Sequence, residues 1–459
     1  MTLKAPDTQP NIILINCDDL GYGDLGCYGS DANATPVLDQ LAREGIRFTD
    51  FYMASPVCSP SRGAMMTGCY PPRIGFGTFE GRWVLFPGQP VGLNPEEDTI
   101  PRMLKRAGYA TKLVGKWHCG DQKPFLPTAH GFDEYFGLPY SNDMGRQKPD
   151  DTYPPLPLLR GDRVIEKQPD QATLTERYVQ ESLAFIRANA SKPFFLYFAH
   201  MYVHIPLYVP DRFLRHSKNG KYGAAVACID WATGVLLDEL KALGIENNTL
   251  VIFTSDNGSR VRGEGGSNGG LRGTKGTTWE GGQRVPCLMR WPGTIPAGAT
   301  CGGLASSMDL YPTLAGLAGA TTPGERTIDG RDIRQLLRSG DADPSPNEVF
   351  FYYFKNDLEA VRDVRWKLHQ RKDRKELREL YDLQNDPGET RHLYDAHPAV
   401  VARLSALMDE CRRELGDDAL GIQGRQVRPI GRVDHADTLT HIDPNDSGTI
   451  AMYDLDDRG

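Results

Sequence analysis

Two rhythms of apolar and polar positions alternate along the first three quarters of the chain. Asn11–Cys17 (NIILINC) and Thr249–Ser255 (TLVIFTS) are short, almost unbroken apolar runs, the pattern of strands buried on both faces. Similar runs predict strands at 46–53, 110–115, 194–198 and 285–290. Between them, apolar positions recur at helical spacing over 36–44, 59–67, 100–107, 174–188, 224–243 and 308–317. Gly45 stops the first of these helices, and Pro60 suits the first turn of the second. Strands that alternate with helices predict a large, mostly parallel sheet with helices on both faces.

Beyond Pro344 the rhythm changes. The segments 348–354, 360–369 and 379–383 read as successive strands, and 398–415 as a helix. This predicts a small α+β unit with a short antiparallel sheet. The expected organisation is a catalytic α/β domain over residues 1–344, a C-terminal α+β domain over 345–416, and a polar tail over 417–459 that packs on the body or on a neighbouring subunit. Residues 258–282 are glycine-rich, and the sequence holds no internal repeat.

Composition narrows the classes. The net charge of −8 argues against a nucleic-acid partner, although a local group of cations can still receive an anionic small molecule. No segment approaches the ~18 apolar residues of a membrane span, and the polar first ten residues lack the apolar core of an export signal. The nine cysteines are odd in number and scattered, unlike a disulfide framework. A cytoplasmic location is expected, or a periplasmic or secreted one if a signal has been removed. A homo-oligomer is compatible with all of this.

Candidate chemistry collects at predicted strand ends. Asp18 and Asp19 follow one strand, Lys116 and His118 another, His204 lies beyond a third, and Asp256 and Asn257 follow a fourth. Ligands of open parallel sheets bind beyond the carboxyl ends of the strands, so all these groups are expected at one edge. Asp18, Asp19, Asp256 and Asn257 offer only hard oxygen donors, which suits Ca2+ or Mg2+; an acidic turn after a strand is the other reading of the first pair. Cys58 precedes the Pro60 helix turn. It is a buried structural cysteine or a thiol nucleophile whose pKa the helix terminus lowers.

The same positions carry a resemblance. Cys58-Ser59-Pro60-Ser61-Arg62, followed by a helix ending at Thr67-Gly68, resembles the C/S-x-P-S-R signature of the sulfatase family, with Met65 where leucine is usual. Asp18-Asp19-Leu20-Gly21-Tyr22-Gly23-Asp24 is similar to the family's opening motif, Gly115-Lys116-Trp117-His118 to its G-K-W-H, and Thr254-Ser255-Asp256-Asn257-Gly258 to its S-D-N-G. Glu379-Leu380-Tyr381-Asp382-Leu383 and Asp386-Pro387-Gly388-Glu389 resemble its C-terminal part. The motifs stand in family order and look most like the arylsulfatase A-like branch.

The resemblance implies an alkaline phosphatase-like fold and hydrolysis of organic sulfate esters. It implies that a formylglycine-generating maturase oxidises Cys58 to Cα-formylglycine, whose hydrate attacks sulfur. It implies one Ca2+ held by Asp18, Asp19, Asp256 and Asn257 together with the modified Cys58. Arg62 is then expected to steady the hydrated aldehyde, Lys116 and Lys275 to contact sulfate, His118 to take the second hydroxyl's proton, and His204 to help protonate the departing alcohol. His200 competes with His204 for that place, with a core role as its alternative. Asp309, Trp117 and His130 read as a helix start, packing and structure. Two other functions remain: a phosphonate monoester hydrolase or phosphodiesterase of the same superfamily, and a catalytically silent calcium-binding scaffold. Small aryl sulfates and sulfated sugars both fit as substrates.

Overall fold

A computed structural model describes residues 9–441. Residues 1–8, and the part of the expected tail from 442 onward, lie outside the described residues. The body is built on a ten-stranded sheet. Its strands run in the spatial order Ala299–Cys301, Ile46–Phe48, Cys287–Arg290, Thr249–Ser255, Asn11–Cys17, Phe194–Ala199, Ala110–Gly115, Glu134–Gly137, Pro157–Arg160 and Arg163–Lys167. From Thr249–Ser255 to Glu134–Gly137 every pairing is parallel. The flanks are mixed: Cys287–Arg290 runs antiparallel to both its neighbours, and the last two hairpin strands are antiparallel.

The central strands alternate sides as a pleated strand must. Ile12 and Leu14 join one apolar core with Leu250, Ile252, Phe195 and Tyr197. Ile13 and Ile15 join the other with Val251, Phe253, Leu196 and Phe198. The helices Cys58–Thr67, Ile100–Arg106 and Leu310–Ala318 cover the first face. Pro36–Glu44, Leu174–Asn189 and Gly220–Ala242 cover the second.

Two strand expectations need correction. The run 46–53 is not one strand. Ile46–Phe48 belongs to the large sheet, whereas Phe51–Tyr52 pairs with Ala305–Ser306. The chain changes sheets at Asp50, whose carboxylate is drawn out by Arg284 and Arg362, each at 3.0 Å. Likewise 360–369 is two strands, Asp357–Asp363 and Trp366–Lys372. Asp363 turns the chain by accepting the backbone N–H groups of Arg365 at 2.7 Å and Trp366 at 2.5 Å, an Asx turn that apolar spacing does not reveal.

The C-terminal sheet therefore has four antiparallel strands, Val349–Phe354, Asp357–Asp363, Trp366–Lys372 and Lys375–Asp382, in chain order. Helix Pro398–Leu415 closes it with Leu404, Met408 and Leu415, and its core is continuous with Tyr52, Ala64, Tyr70 and Met308 of the body. After the helix the chain returns across the body. Arg428 pairs with Glu97 at 2.7 Å, and Gly431–Arg432 pairs with Val91–Gly92.

Phe253 is fully buried beside Ile15 and Leu288. Phe253→Ala is expected to destabilise the body by about 3–5 kcal/mol, through lost transfer energy and the cavity left behind. Chemical denaturation followed by tryptophan fluorescence measures it, and a loss below about 1 kcal/mol would contradict this account of the core.

Candidate active site

The strands Thr249–Ser255, Asn11–Cys17, Phe194–Ala199 and Ala110–Gly115 are immediate neighbours in the sheet, all parallel, and each ends at the same edge. The ladder continues one step past the strands: Asp256 N donates to Cys17 O, His200 N to Asn16 O, and Lys116 N to Ala199 O. The sheet thus delivers Asp18, Asp19, Asp256, Asn257, Lys116 and His118 to one pocket. Asp19 and His118 both take left-handed backbone conformations, each with φ of 64°. Asp and His tolerate that region better than branched residues, and strained backbone of this kind gathers at functional sites. At Gly115 a Cβ would meet Ala199 O at 1.9 Å, so only glycine lets these two strands run together just before Lys116.

The remaining residues arrive on helix Cys58–Thr67, whose first residue is Cys58. Ser61 Oγ donates to Asp256 O at 2.5 Å, Arg62 Nε to the Asp256 carboxylate at 2.8 Å, and Arg62 Nη1 to Lys116 O at 2.8 Å. The helix is therefore pinned to two strand ends, and Cys58 Sγ stands 3.4 Å from Asp18 Oδ1. One sequence expectation fails here. The helix terminus does not lower the thiol's pKa; burial raises it well above the ordinary range, and the Asp18 charge adds to the rise. The unmodified Cys58 stays a protonated thiol.

Asp18, Asp19, Asp256, Arg62 and Lys116 are all buried. Lys116 ion-pairs with Asp18, and Lys275 reaches both Asp19 oxygens at 2.6 and 2.9 Å. Burial works against ionisation of Asp18, but Lys116 and Arg62 outweigh it and hold the carboxyl well below its usual range. Asp256 goes the other way. Burial and the nearby Asp18 charge push it up to about 6, with Arg62 opposing. Burial disfavours the charge on Lys275 too, yet Asp19 holds it strongly protonated.

The two histidines have assignable tautomers. His118 Nε2 lies 3.0 Å from Leu85 O and so carries the proton, which leaves Nδ1 as a buried base without a partner. His204 Nδ1 lies 2.6 Å from Ile205 O and donates to it; Nε2 is then the free base, 3.8 Å from Asp19 Oδ2. Burial lowers both pKa values, and the adjacent cations Lys116 and Lys275 respectively add to the fall.

One atom each of Asp18, Asp19, Cys58 and His204 lie within 4.8 Å of one another, a grouping that can hold a cation. Asn257 Nδ2 donates to Asp19 Oδ1 at 2.8 Å, while its Oδ1 is buried and has no partner. Asp256 stands outside the tightest grouping because its oxygens receive Arg62 and the Asp19 N–H. The Asp18 and Asp19 carboxylates are hard donors that fit Ca2+, and the Asn257 amide stands against Asp19 beside them.

His200, the alternative to His204, is elsewhere. It is buried with both ring nitrogens unpartnered, between Phe198 and Tyr202 with ring centroids at 5.1 and 5.6 Å. Asp309 closes a capping box with Ser306, Trp117 donates its indole N–H to Phe125 O at 2.8 Å, and His130 packs against Trp117. Sequence reasoning missed two contributors. Ser141 Oγ accepts from Lys116 Nζ at 3.3 Å. Leu85 joins His118 through its carbonyl and Ser59 Oγ through its N–H. A backbone group leaves no mark in residue identity, and Ser141 lies in an unpatterned loop.

Comparison with known proteins bears on this pocket. A family model described as Sulfatase matches residues 10–320, and one described as N-sulphoglucosamine sulphohydrolase, C-terminal, matches 274–414. N-acetylgalactosamine-6-sulfatase of Canis lupus familiaris is 41% identical over 417 residues, covering 84% of this chain and 78% of that protein. Arylsulfatase A of Homo sapiens is 39% identical over 445 residues, covering 87% of each. The crystal structure of Ps i-CgsB in complex with k-i-k-neocarrahexaose is 32% identical with a TM-score of 0.79, covering 88% of this chain and 93% of that one.

The buried histidines give a pH prediction. Burial lowers His200 to about 3 and His130 to about 3, so both stay neutral in the fold while their unfolded counterparts protonate near pH 6.5. The unfolded state then binds more protons, and stability falls as pH drops from about 6.5 toward 3. His200→Phe is expected to reduce that slope by about 1 kcal/mol per pH unit between pH 6 and 4. Denaturation at stepped pH reads it, and an unchanged slope would mean that His200 is not buried neutral.

Proposed function

Given that the chain belongs to the sulfatase family and is a hydrolase of sulfate esters, we propose that it works through a Cα-formylglycine formed at Cys58 with Ca2+ bound beside it. The observation that carries this reading is the place of Cys58: buried at the start of its helix, 3.4 Å from Asp18, grouped with Asp19 and His204, and beside the lysines that pair with those two carboxylates. A thiolate nucleophile is disfavoured there, whereas a hydrated aldehyde supplies a hydroxyl that needs no thiolate.

In this scheme Asp18, Asp19 and Asn257 hold the ion, with Asp256 beside them. When bound, Ca2+ supplies positive charge that polarises sulfate oxygens. Arg62, whose Nη2 is buried without a partner, steadies the hydrated aldehyde. One of its hydroxyls attacks sulfur, and the bond from sulfur to the alcohol oxygen breaks as Lys116 and Lys275 stabilise the charge on the transferring group. The proton lost by the attacking hydroxyl leaves with the alcohol, relayed by His204 Nε2, whose proton affinity the arriving sulfate anion raises. His118 Nδ1 then takes the proton of the remaining hydroxyl, the carbon–oxygen bond to sulfate breaks, and the aldehyde re-forms. Water rehydrates it.

A sulfated saccharide is the proposed substrate class. The relatives support it: one is named for a sulfated amino sugar, and another was crystallised with a neocarrahexaose.

Cys58→Ala is expected to abolish turnover of nitrophenyl sulfate with the fold unchanged by circular dichroism, and full activity in this variant would refute the nucleophile. In the native host the Cys58 peptide should have exchanged its thiol for an aldehyde, which mass spectrometry reads as a lower mass and as loss of the sulfur. A cysteine peptide from active enzyme would refute the formylglycine. Lys116→Ala should lower kcat about 10²–10³-fold. Chelation should remove activity and Ca2+ restore it, and nitrophenyl phosphate should be the poorer substrate; a clear phosphate preference would favour the phosphoester reading.

A further inference from the structure

Residues 272–282 carry Lys275 to Asp19, and this loop is gripped from two sides. On its inner side Lys275 N donates to Ser259 O, Gly276 N to Pro56 O, and Gly258 N to Gly282 O. These bonds tie it to the segments that end in Asn257 and lead to Cys58. On its outer side stands the C-terminal sheet. Lys367, fully buried on strand Trp366–Lys372, donates to Thr278 O at 2.9 Å and pairs with Glu280 at 3.0 Å and Glu389 at 2.9 Å. Glu389 in turn accepts Glu280 N at 2.8 Å, and Tyr352 donates to Glu280 at 2.7 Å. Every polar partner of the Lys367 ammonium is therefore in the loop or holds it.

A buried ammonium is a poor device for stability alone, because an apolar side chain of similar volume avoids its desolvation cost. What it provides is direction: its protons point at Thr278 O and Glu280, its two hydrogen-bond acceptors, with the Glu389 carboxylate paired beside them. We propose that Lys367 is a positioning residue for sulfate-ester hydrolysis. It fixes residues 278–280 against the C-terminal sheet and so holds Lys275 at Asp19. Arg272 forms the outer half of the same grip. Its guanidinium lies 3.6 Å over the Trp279 ring and donates to Tyr381 Oη at 2.7 Å, while its side chain remains 38% exposed. The sheet acts on chemistry performed in the other part of the chain. This inference rests on the role given above to Lys275.

The test is a mutant cycle in the matured, full-length enzyme with nitrophenyl sulfate, at a temperature where circular dichroism shows every variant folded. Lys367→Met is expected to lower kcat/KM between about tenfold and a hundredfold, the scale of a small misplacement of a reacting group. In a Lys275→Ala background the same substitution should change kcat/KM by less than about twofold, because the group it positions is gone. Full losses that multiply in the double variant, or a folded Lys367→Met enzyme with wild-type kcat/KM, would overturn the proposal. If Lys367→Met does not fold, Arg272→Ala decides by the same cycle, and additive losses or wild-type kcat/KM there would overturn it. Wild-type kcat/KM in Lys275→Ala would instead overturn the reading of Lys275, and this inference with it.

Discussion

Three carboxylates and three cations share one pocket at the end of the sheet, and most of the site follows from keeping that set balanced without water. Asp18 and Asp256 are fully buried and Asp19 nearly so. A carboxylate in that position is costly unless it is paired and hydrogen-bonded. Arg62 answers Asp256, Lys116 answers Asp18, and Lys275 answers Asp19. Each partner comes from a different segment: a helix, a strand end and a glycine-rich loop. The charge balance therefore also fixes how the helix and the loop dock on the sheet. With each carboxylate paired to its own cation, the set is neutral as a whole.

The same low-water environment decides which groups can do acid–base work. Burial and the Asp18 charge push the Cys58 thiol's pKa up, against the helix-terminus effect that would activate an exposed cysteine. The histidines stay neutral, and their backbone partners choose which nitrogen is basic. Neutral bases with fixed tautomers fit a reaction in which protons leave a hydrated aldehyde one at a time. The cations are occupied by carboxylates at rest and are already oriented when sulfate arrives, which is the preorganisation that lowers a barrier without rearrangement.

Much of this was legible in the order of residues. Each of the four central strands ends in its own polar cluster, and the parallel sheet puts those ends at one edge; both facts are visible in apolar runs followed by Asp18-Asp19, Lys116, His204 and Asp256-Asn257. The position of Cys58 on a helix followed from Pro60. What escaped is set by contacts that apolar spacing does not record. Asp50 breaks one apparent strand because the distant Arg284 and Arg362 capture its carboxylate, and Asp363 breaks another through a local Asx turn to backbone N–H groups. The carbonyl of Leu85 orients His118 without any sequence signal. His204 and His200 are separated only by where their rings point, one toward Asp19 and the other between Phe198 and Tyr202.

The C-terminal sheet raises a last question, why a charged network lies in the seam between two cores. Glu280, Lys367, Glu389 and Arg362 are buried where apolar packing would join the parts with less desolvation. Burial pulls Glu280 toward protonation, but Lys367, Arg362 and Arg284 together hold it well below its ordinary range, whereas burial pushes Glu389 up to about 7. Two acids around one lysine thus take unequal charge, and the lysine leans on the one that belongs to the active-site loop. Apolar attraction is non-directional, whereas a set of hydrogen bonds fixes where each partner must stand. A loop that must set an ammonium within hydrogen-bonding distance of Asp19 is better served by the second kind of joint. On that argument the C-terminal sheet positions the catalytic loop from outside the site.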